Sequence, residues 1–206
     1  QAWRIFPHFR NHSAYLDIET TAAYGFEQQI TAITIYDGNK ISCFVDGENL
    51  EDFEEAISRY KVLVTYNGKS FDAPIIEKHF RIKLPRAHID LRYVLNHLGY
   101  SGGLKSCEKQ LGMDRGLLEG VDGSFAIFLW EEFQRTGDRK ALETLLAYNV
   151  ADTVNLESLL IKAYNLNIEK TPFVQGQFIK DTIQPPSPYS PDPETVKKIK
   201  NDYFYR

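Results

Sequence analysis

The sequence predicts an α/β domain in which helices flank a central mixed sheet of five strands, three antiparallel and two parallel. Three apolar or β-branched runs separated by short loops, at residues 14–20, 30–36 and 41–45, are typical of an antiparallel meander. A continuous apolar run at residues 62–66 is typical of a central parallel strand that is covered on both faces. Apolar residues at three-four spacing elsewhere predict amphipathic helices.

Length and composition limit the classes of protein that fit. The chain has 206 residues, 43% of them hydrophobic, and a net charge of −4, so no global basic field indicates a nucleic-acid partner. Cys43 and Cys107 are far apart and predict reduced thiols of a cytoplasmic protein. No apolar run reaches the roughly 18 residues of a membrane span, so no membrane contact is expected. The glutamine start suggests a trimmed chain or a fragment.

In the first half of the chain each predicted element ends at a recognisable turn or break. The turn pair Asp37-Gly38 closes the second strand of the meander, and Asn67-Gly68 ends the parallel strand. Pro74 is tolerated in the first turn of the helix that follows. In order, the predicted elements are a leading strand or arm at 4–12, strands at 14–20, 30–36, 41–45 and 62–66, a small-residue loop at 21–28, and helices at 49–60 and 70–80.

The second half is mainly helical. Its predicted elements are a short strand at 87–91 and helices at 92–98, 104–111 and 125–134, then a long helix from the N-cap Asp138 to about Tyr164. Five of the nine prolines lie between Gln184 and Pro193, which predicts extended chain there, and a short helix is expected at 197–206. We therefore expect a domain at 1–170, with its motifs within 13–165, and a proline-rich extension at 171–206.

Asp17 and Glu19 place two acids on the first strand of the meander. Because side chains alternate along a strand, both carboxylates point the same way, with Cα atoms roughly 7 Å apart. A strand with one wet face is the ordinary reason for such a pair. In a buried strand, however, each ionised group loses its solvation unless a cation replaces the water. Thr20 follows the pair and is a candidate substrate contact.

Two further acids are expected near this pair. Asp72 follows the end of the parallel strand at a helix N-terminus, where open α/β sheets keep their ligand sites, although it could serve only as a cap. Asp152 falls in an apolar helix stripe that is expected to face the sheet, formed by Leu145, Tyr148, Leu156 and Leu159. Four like charges around one point are tolerable only with bound cations.

Carboxylates without a cluster of histidines or cysteines suit Mg²⁺ or Mn²⁺ rather than zinc. Two such ions about 4 Å apart can activate a water and stabilise the leaving oxygen of a phosphoryl displacement. Tyr148 lies one turn before Asp152 on the predicted helix. Since a phenol has a pKa near 10, we expect Tyr148 to orient the water rather than to act as a full general base.

Other polar residues have two interpretations each. Asn67 is expected to support the loop that presents Asp72 or to contact the substrate, and Phe71 to lie in the core or to stack on a base. Lys105, at a helix start, either meets phosphates or is solvated. His88 and Asp90 could form a second metal pair, but Asp90 is expected to cap the following helix.

The three acidic motifs resemble those of the DEDD superfamily of exonucleases. These are D-x-E at Asp17 and Glu19, N-x-x-x-F-D ending at Asp72, and Y-x-x-x-D from Tyr148 to Asp152. Their order and spacing match over residues 13–165, and the tyrosine places the resemblance in the tyrosine subclass, DEDDy. Residues 66–76 and 104–112 are similar to the proofreading domain of B-family DNA polymerases, whereas residues 6–10 and 102–105 look more like YprB-type predicted exonucleases.

The resemblance implies an RNase H-like fold and metal-dependent removal of nucleotides from the 3′ end of a nucleic acid, single-stranded at that end. It implies two divalent cations, Mg²⁺ or Mn²⁺, held by the four acids, and nucleoside 5′-monophosphates as products. Two alternatives stay open: an RNase H-like binding module without catalysis, and an endonuclease of the same fold. The choice between DNA and RNA cannot be read from spacing.

Overall fold

A computed structural model describes residues 1–21, 28–113, 123–172 and 176–204. Its centre is a five-stranded sheet in the order β3-β2-β1-β4-β5. The β1–β2 and β2–β3 pairs are antiparallel, and the β1–β4 and β4–β5 pairs are parallel. The predicted α/β fold with a mixed sheet is confirmed. The strands are β1 Ser13–Thr20, β2 Ile30–Tyr36, β3 Ile41–Val45, β4 Val62–Thr65 and β5 Ala87–Asp90.

Helices cover both faces of the sheet. They are α1 Phe6–Phe9, α2 Phe53–Ile57, α3 Asp72–Phe80, α4 Leu91–Leu98, α5 Leu104–Gln110, α6 Gly123–Thr136, α7 Arg139–Glu169 and α8 Pro193–Phe204. The N-cap prediction for the long helix is confirmed, because the Asp138 side chain accepts a hydrogen bond from the Lys140 amide. Within the described part of the chain, no helix is both long and apolar enough to cross a membrane.

Three predicted elements differ from the structure. The leading strand at 4–12 is wrong, since these residues form helical turns whose Trp3 and Phe6 rings pack edge-on against Tyr164 of α7. The helix expected at 49–60 is shorter, with a 3₁₀ turn before α2. The last helix begins at Pro193 rather than at residue 197, because Asp192 accepts hydrogen bonds from the Thr195 amide and hydroxyl. The loop predicted at 21–28 lies mostly outside the described residues.

The two faces of β1 carry different side chains. Leu16 and Ile18 pack into the apolar cluster beneath α2 and α3, while Tyr15 packs into the cluster beneath α7. The alternation along the strand therefore turns Asp17 and Glu19 towards α7, with Tyr15. The prediction that the two acids share one face opposite Leu16 and Ile18 is confirmed.

The proline-rich extension runs back along α7 and is held there by polar contacts. Asn165 makes two hydrogen bonds of 2.9 Å to the backbone of Ile179, and Ser158 donates to Asp181 at 2.8 Å. Residues 184–192 contain no helix or strand, as the prolines predicted. At the end of the extension, Ile199 of α8 is fully buried in the cluster between α6 and α7.

A buried carboxylate joins four parts of the chain. Glu157 of α7 is only 1% exposed and accepts hydrogen bonds from Arg10 at 2.8 Å, from Tyr36 at 3.2 Å and from Thr182 at 3.0 Å. The amino-terminal turns, β2, α7 and the extension are thereby tied together. A buried charge of this kind depends on its partners, because water cannot replace them.

We expect Arg10→Ala to lower the free energy of unfolding by about 3 kcal/mol, because it leaves Glu157 buried without its cation. The matched control is Arg59→Ala, which removes an exposed i,i+4 partner of Glu55 and is expected to cost less than about 0.5 kcal/mol. Urea unfolding at pH 7 measures both. Equal losses in the two variants would contradict the role assigned to the buried pair.

Candidate active site

Asp17 and Glu19 lie in the second half of β1, half-buried beneath α7. Asn149 of α7 donates its side-chain amide to Asp17 Oδ2 at 2.8 Å, so the strand and the helix are joined at this carboxylate. The β1–β2 register shifts between Glu19 and Thr20, which places a bulge directly after the second acid. Bulges of this kind change the direction of the side chains beside them.

Asp72 reaches the same region from the other side of β1. It is the first residue of α3 and is 4% exposed. The Ile18 amide donates to Asp72 Oδ1 at 3.2 Å, between the two acids of β1. A carboxylate from the end of β4 is thus placed against the middle of the acidic pair.

The loop between β4 and α3 is held by Asp90, the last residue of β5. Asp90 accepts hydrogen bonds from the Asn67 amide at 2.8 Å and the Lys69 amide at 3.0 Å, and it caps α4 through the Arg92 amide at 3.1 Å. The prediction that Asp90 is a helix cap is confirmed. Its carboxylate also fixes the backbone that leads to Asp72.

Asn67 and Gly68 give this loop its shape. Asn67 has φ 66°, a left-handed conformation that asparagine tolerates better than most residues, and its side-chain oxygen accepts from Ser70 and Arg92. A Cβ atom at Gly68 would clash with the side chain of Thr65. Of the two roles predicted for Asn67, the structure therefore shows the support of this loop.

Asp152 completes the cluster from α7, where it is half-buried. Its charge helps to raise the pKa values of both Asp17 and Glu19, as does the charge of Asp72. Asp17 and Glu19 therefore lie within electrostatic range of each other and of both Asp72 and Asp152, although the four acids come from three elements that are distant in the sequence.

The pKa values show how unfavourable this concentration of charge is. Burial raises the pKa of Asp17 well above its usual range, with further contributions from Asp72, Glu19 and Asp152. Burial and then Asp152 raise the pKa of Glu19 to about 8, against an opposing effect of Lys105. Burial raises the pKa of Asp72 to about 7, although the amides of Ile18 and Asp72 itself lower it. A cation would relieve all three shifts.

The donor chemistry of the site fits a hard divalent cation. Carboxylate oxygens are the ligands that Mg²⁺ and Mn²⁺ prefer. Within the described part of the chain the buried Asn149 Oδ1 has no hydrogen-bond partner, so it is a further candidate oxygen ligand. Among the described residues, however, no three acid, histidine or cysteine side chains are spaced closely enough to hold an ion together.

Tyr148 lies in the apolar cluster formed by α6, α7 and α8. Its ring is 4% exposed and packs edge-on against Phe125 at 6.1 Å. The same cluster includes Ala32, the register partner of Glu19 in β2. Burial alone raises the pKa of Tyr148, and its hydroxyl makes no hydrogen bond to any residue that the structure describes. The structure thus shows no direct contact of the phenol with the acids.

The remaining candidate substrate contacts are Lys105, Phe71 and Thr20. Lys105, near the start of α5, lies close enough for its charge to lower the pKa of Glu19. Phe71 precedes Asp72 and is 37% exposed, so the core interpretation of this ring is wrong. Thr20 ends β1 opposite Ile30.

Sequence reasoning missed Asn149. It is fully buried and is the only described side chain that donates a hydrogen bond to Asp17. Its position three residues before Asp152 placed it on the same face of the helix, and this spacing was the available signal.

We expect Asn149→Ala to weaken Mg²⁺ binding and any metal-dependent activity by about tenfold to a hundredfold, because Asp17 loses the group that orients it. Titration calorimetry measures the metal affinity directly. Asn167→Ala is the matched control, since Asn167 only donates to the Ala163 carbonyl within the last turns of α7. Unchanged metal affinity in Asn149→Ala would contradict the positioning role.

The fold and the site together define an α/β domain that gathers four acids at the carboxyl ends of its strands, beneath a long helix. The chain belongs to the RNase_H superfamily, which it matches over residues 14–164. The predicted RNase H-like fold is therefore confirmed. No curated protein sequence matches the chain.

Two solved structures share this fold. The family B DNA polymerase of the hyperthermophilic archaeon Pyrobaculum calidifontis aligns with a TM-score of 0.59 and 16% identity, over 79% of this chain and 26% of the polymerase. The EXO domain of Nibbler from Aedes aegypti aligns with a TM-score of 0.50 and 11% identity, over 82% of this chain and 84% of that domain. The chain thus spans about a quarter of the polymerase. At these identities the likeness concerns the fold alone.

Proposed function

We propose that this protein is a metal-dependent 3′–5′ exonuclease that hydrolyses the terminal phosphodiester bond of a nucleic acid and releases nucleoside 5′-monophosphates. The observation that carries the proposal is the approach of Asp17, Glu19, Asp72 and Asp152, from β1, α3 and α7, to within electrostatic range of one another. Such a cluster is costly in a folded protein unless it serves to hold cations. Membership of the RNase_H superfamily supports a nuclease.

Each residue has a distinct role in this proposal. The four acids hold two divalent cations, Mg²⁺ or Mn²⁺. When bound, such ions lower the pKa of a water and stabilise the charge of the leaving oxygen. Asn149 orients Asp17, and Asp90 fixes the loop that presents Asp72. Tyr148 aligns the attacking water, which requires its hydroxyl to approach the acids when the substrate binds.

Three finer assignments belong to the same proposal. The Y-x-x-x-D motif from Tyr148 to Asp152 supports the tyrosine subclass, and residues 6–10 and 102–105 support the YprB type. We assign the exonuclease domain to residues 1–170 and treat 171–206 as a proline-rich extension. The free thiols of Cys43 and Cys107 support a cytoplasmic location.

The proposal is tested by digestion of single-stranded DNA and RNA oligonucleotides that carry a label at the 3′ or the 5′ end. With Mg²⁺ or Mn²⁺, the expected result is stepwise shortening from the 3′ end, which EDTA abolishes. A circular single strand of the same sequence is the matched control and is expected to resist. Cleavage of the circle would contradict an exonuclease and favour an endonuclease of the same fold.

We expect Tyr148→Phe to lower kcat by about a hundredfold while KM stays within about twofold, because the phenol orients the water but does not bind the strand. The ring still fills the cluster with Phe125, so the stability is retained. Steady-state hydrolysis of a 3′-labelled oligonucleotide measures both constants. An unchanged kcat would contradict the role of the hydroxyl.

One observation favours a second candidate function, an RNase H-like module that binds nucleic acid without cleaving it. Among the described residues, no three acids are spaced to hold an ion together. Titration calorimetry with Mn²⁺ separates the two functions. Binding of two ions per chain favours the nuclease, and the absence of heat at millimolar Mn²⁺ favours the silent module.

A further inference from the structure

The extension encloses a cavity beside Tyr148. Its volume is about 350 Å³, which is within the range of small-molecule binding sites. Tyr148, Pro191 and five residues of α8 line it. The residues of α8 that line it are Pro193, Val196, Lys197, Lys200 and Asn201.

These five residues form one face of the helix. Their spacing of three, one, three and one places them along a single stripe of an α-helix. The opposite stripe anchors α8, since Thr195 and Ile199 are buried and Lys198 donates to the buried Glu132 at 2.6 Å. The helix is therefore held by one face and presents the other to the cavity.

The charge of the cavity wall is positive. Lys197 is exposed and Lys200 is half-buried, and neither forms an ion pair with a residue that the structure describes. Lys198 on the same helix is paired with Glu132. One lysine of α8 therefore anchors the helix, and the other two line the cavity. In a chain with a net charge of −4, two lysines that face a cavity beside an acidic site are a specific local feature.

We propose that this cavity is a subsite for the nucleic-acid strand, in which Lys197 and Lys200 contact phosphates and Val196 with Pro193 contacts a base or sugar. The inference rests on the proposed nuclease function and deepens it. Apolar contact beside backbone cations is the usual composition of a single-strand site. Tyr148 lines the cavity and precedes Asn149, which contacts Asp17, and it lies one turn before Asp152 on α7, so the cavity adjoins the segment of α7 that reaches the acids.

The test measures binding separately from cleavage. All proteins carry Asp17→Asn, so that a 5′-fluorescein-labelled ten-nucleotide single strand stays intact in Mg²⁺. Fluorescence anisotropy then gives Kd at several salt concentrations. We expect the Lys197→Ala/Lys200→Ala protein to bind about tenfold more weakly than its parent. We also expect the slope of log K against log salt to fall by about 1.4, since each lost phosphate contact removes about 0.7 for a single strand.

Two further variants separate the cavity from general charge and from folding. Lys61→Ala removes an exposed lysine before β4, at the opposite end of the parallel strands, and is expected to leave Kd within twofold. Asn201→Asp adds a negative charge to the cavity wall with almost no change in volume and is expected to weaken binding about threefold or more. Thermal unfolding checks that each variant is folded.

The outcomes decide the inference independently of the nuclease assay. Equal values of Kd and of the salt slope in the parent and the double variant would overturn the proposed subsite. Displacement of the strand by inorganic phosphate, at the concentration of phosphate groups that the strand itself supplies, would also overturn it. Hydrolysis by the unsubstituted protein of the p-nitrophenyl ester of thymidine 5′-monophosphate, a substrate too short to span both sites, tests the proposed function alone. Failure of that hydrolysis with normal lysine-dependent binding would overturn the nuclease and retain the subsite.

Discussion

Asp17→Asn is expected to abolish nuclease activity and at the same time to stabilise the metal-free protein. The variant lacks a carboxylate that is a proposed metal ligand. Losing several kcal/mol of transition-state stabilisation lowers kcat/KM by about a thousandfold or more. Without a cation, however, Asp17 is a buried acid whose pKa three neighbouring acids raise further. Its neutral isostere removes that repulsion, so we expect the free energy of unfolding in EDTA to rise by about 1 kcal/mol.

The opposite signs of these two effects distinguish a functional acid from a structural one. Digestion of a 3′-labelled strand measures the first, and urea unfolding in EDTA measures the second. Asp52→Asn is the matched control, because Asp52 is exposed at the start of α2 and makes no capping hydrogen bond. That variant is expected to change neither quantity. A less stable Asp17→Asn protein would indicate that Asp17 holds the fold together, and retained activity would remove it from the catalytic set.

The metal-free protein is expected to become less stable as the pH rises from 6.5 to 8. Glu19 and Asp72 have pKa values of about 8 and about 7 in the folded chain, against ordinary values of 4.5 and 3.8. The folded state therefore binds more protons than the unfolded state, and the stability decreases with pH until both acids have ionised. We expect a loss on the order of 1 kcal/mol over this range, and its reversal by Mg²⁺, which binds the folded state.

The comparison begins at pH 6.5 because His88, whose titration changes the stability in the opposite direction, acts mainly below this pH. Burial lowers the pKa of His88 to about 4 from an ordinary value of 6.5, so its contribution has the opposite sign but ends near pH 6.5. Urea unfolding at pH 6.5 and 8, in EDTA and in Mg²⁺, measures the effect. Glu19→Gln is expected to flatten the EDTA profile, whereas Glu54→Gln, at an exposed position of α2, is not. Equal stability of the metal-free protein at the two pH values would contradict the shifts.

The sheet was predictable because its strands obey simple rules. The β-branched run of β2 and the turn pair Asp37-Gly38 define the meander, and the apolar run of β4 defines the parallel centre. Helix α7 was predictable from its N-cap and its long apolar stripe. The amino-terminal turns were not, because Trp3 and Phe6 are helical through their packing on Tyr164, which lies about 160 residues away in the sequence.

The acids of the candidate site could be named from the sequence, but their surroundings could not. Strand alternation and helix spacing brought Asp17, Glu19 and Asp152 to facing surfaces. The supporting contacts depend on tertiary structure instead, as for Asn149 with Asp17 and Asp90 with the Asn67 loop. The cavity beneath α8 was likewise invisible, because it exists only where the extension folds back beside Tyr148.

The anchoring of the Asn67 loop by Asp90 has a consequence for the entropy of cation binding at the proposed site. Asp72 follows a backbone segment in which two amides, those of Asn67 and Lys69, donate hydrogen bonds to Asp90. The Asp72 carboxylate would therefore lose little conformational entropy on binding a cation at the proposed site. On the other side, the Asn149 amide already joins α7 to Asp17, so the proposed site is organised in advance by contacts from both sides.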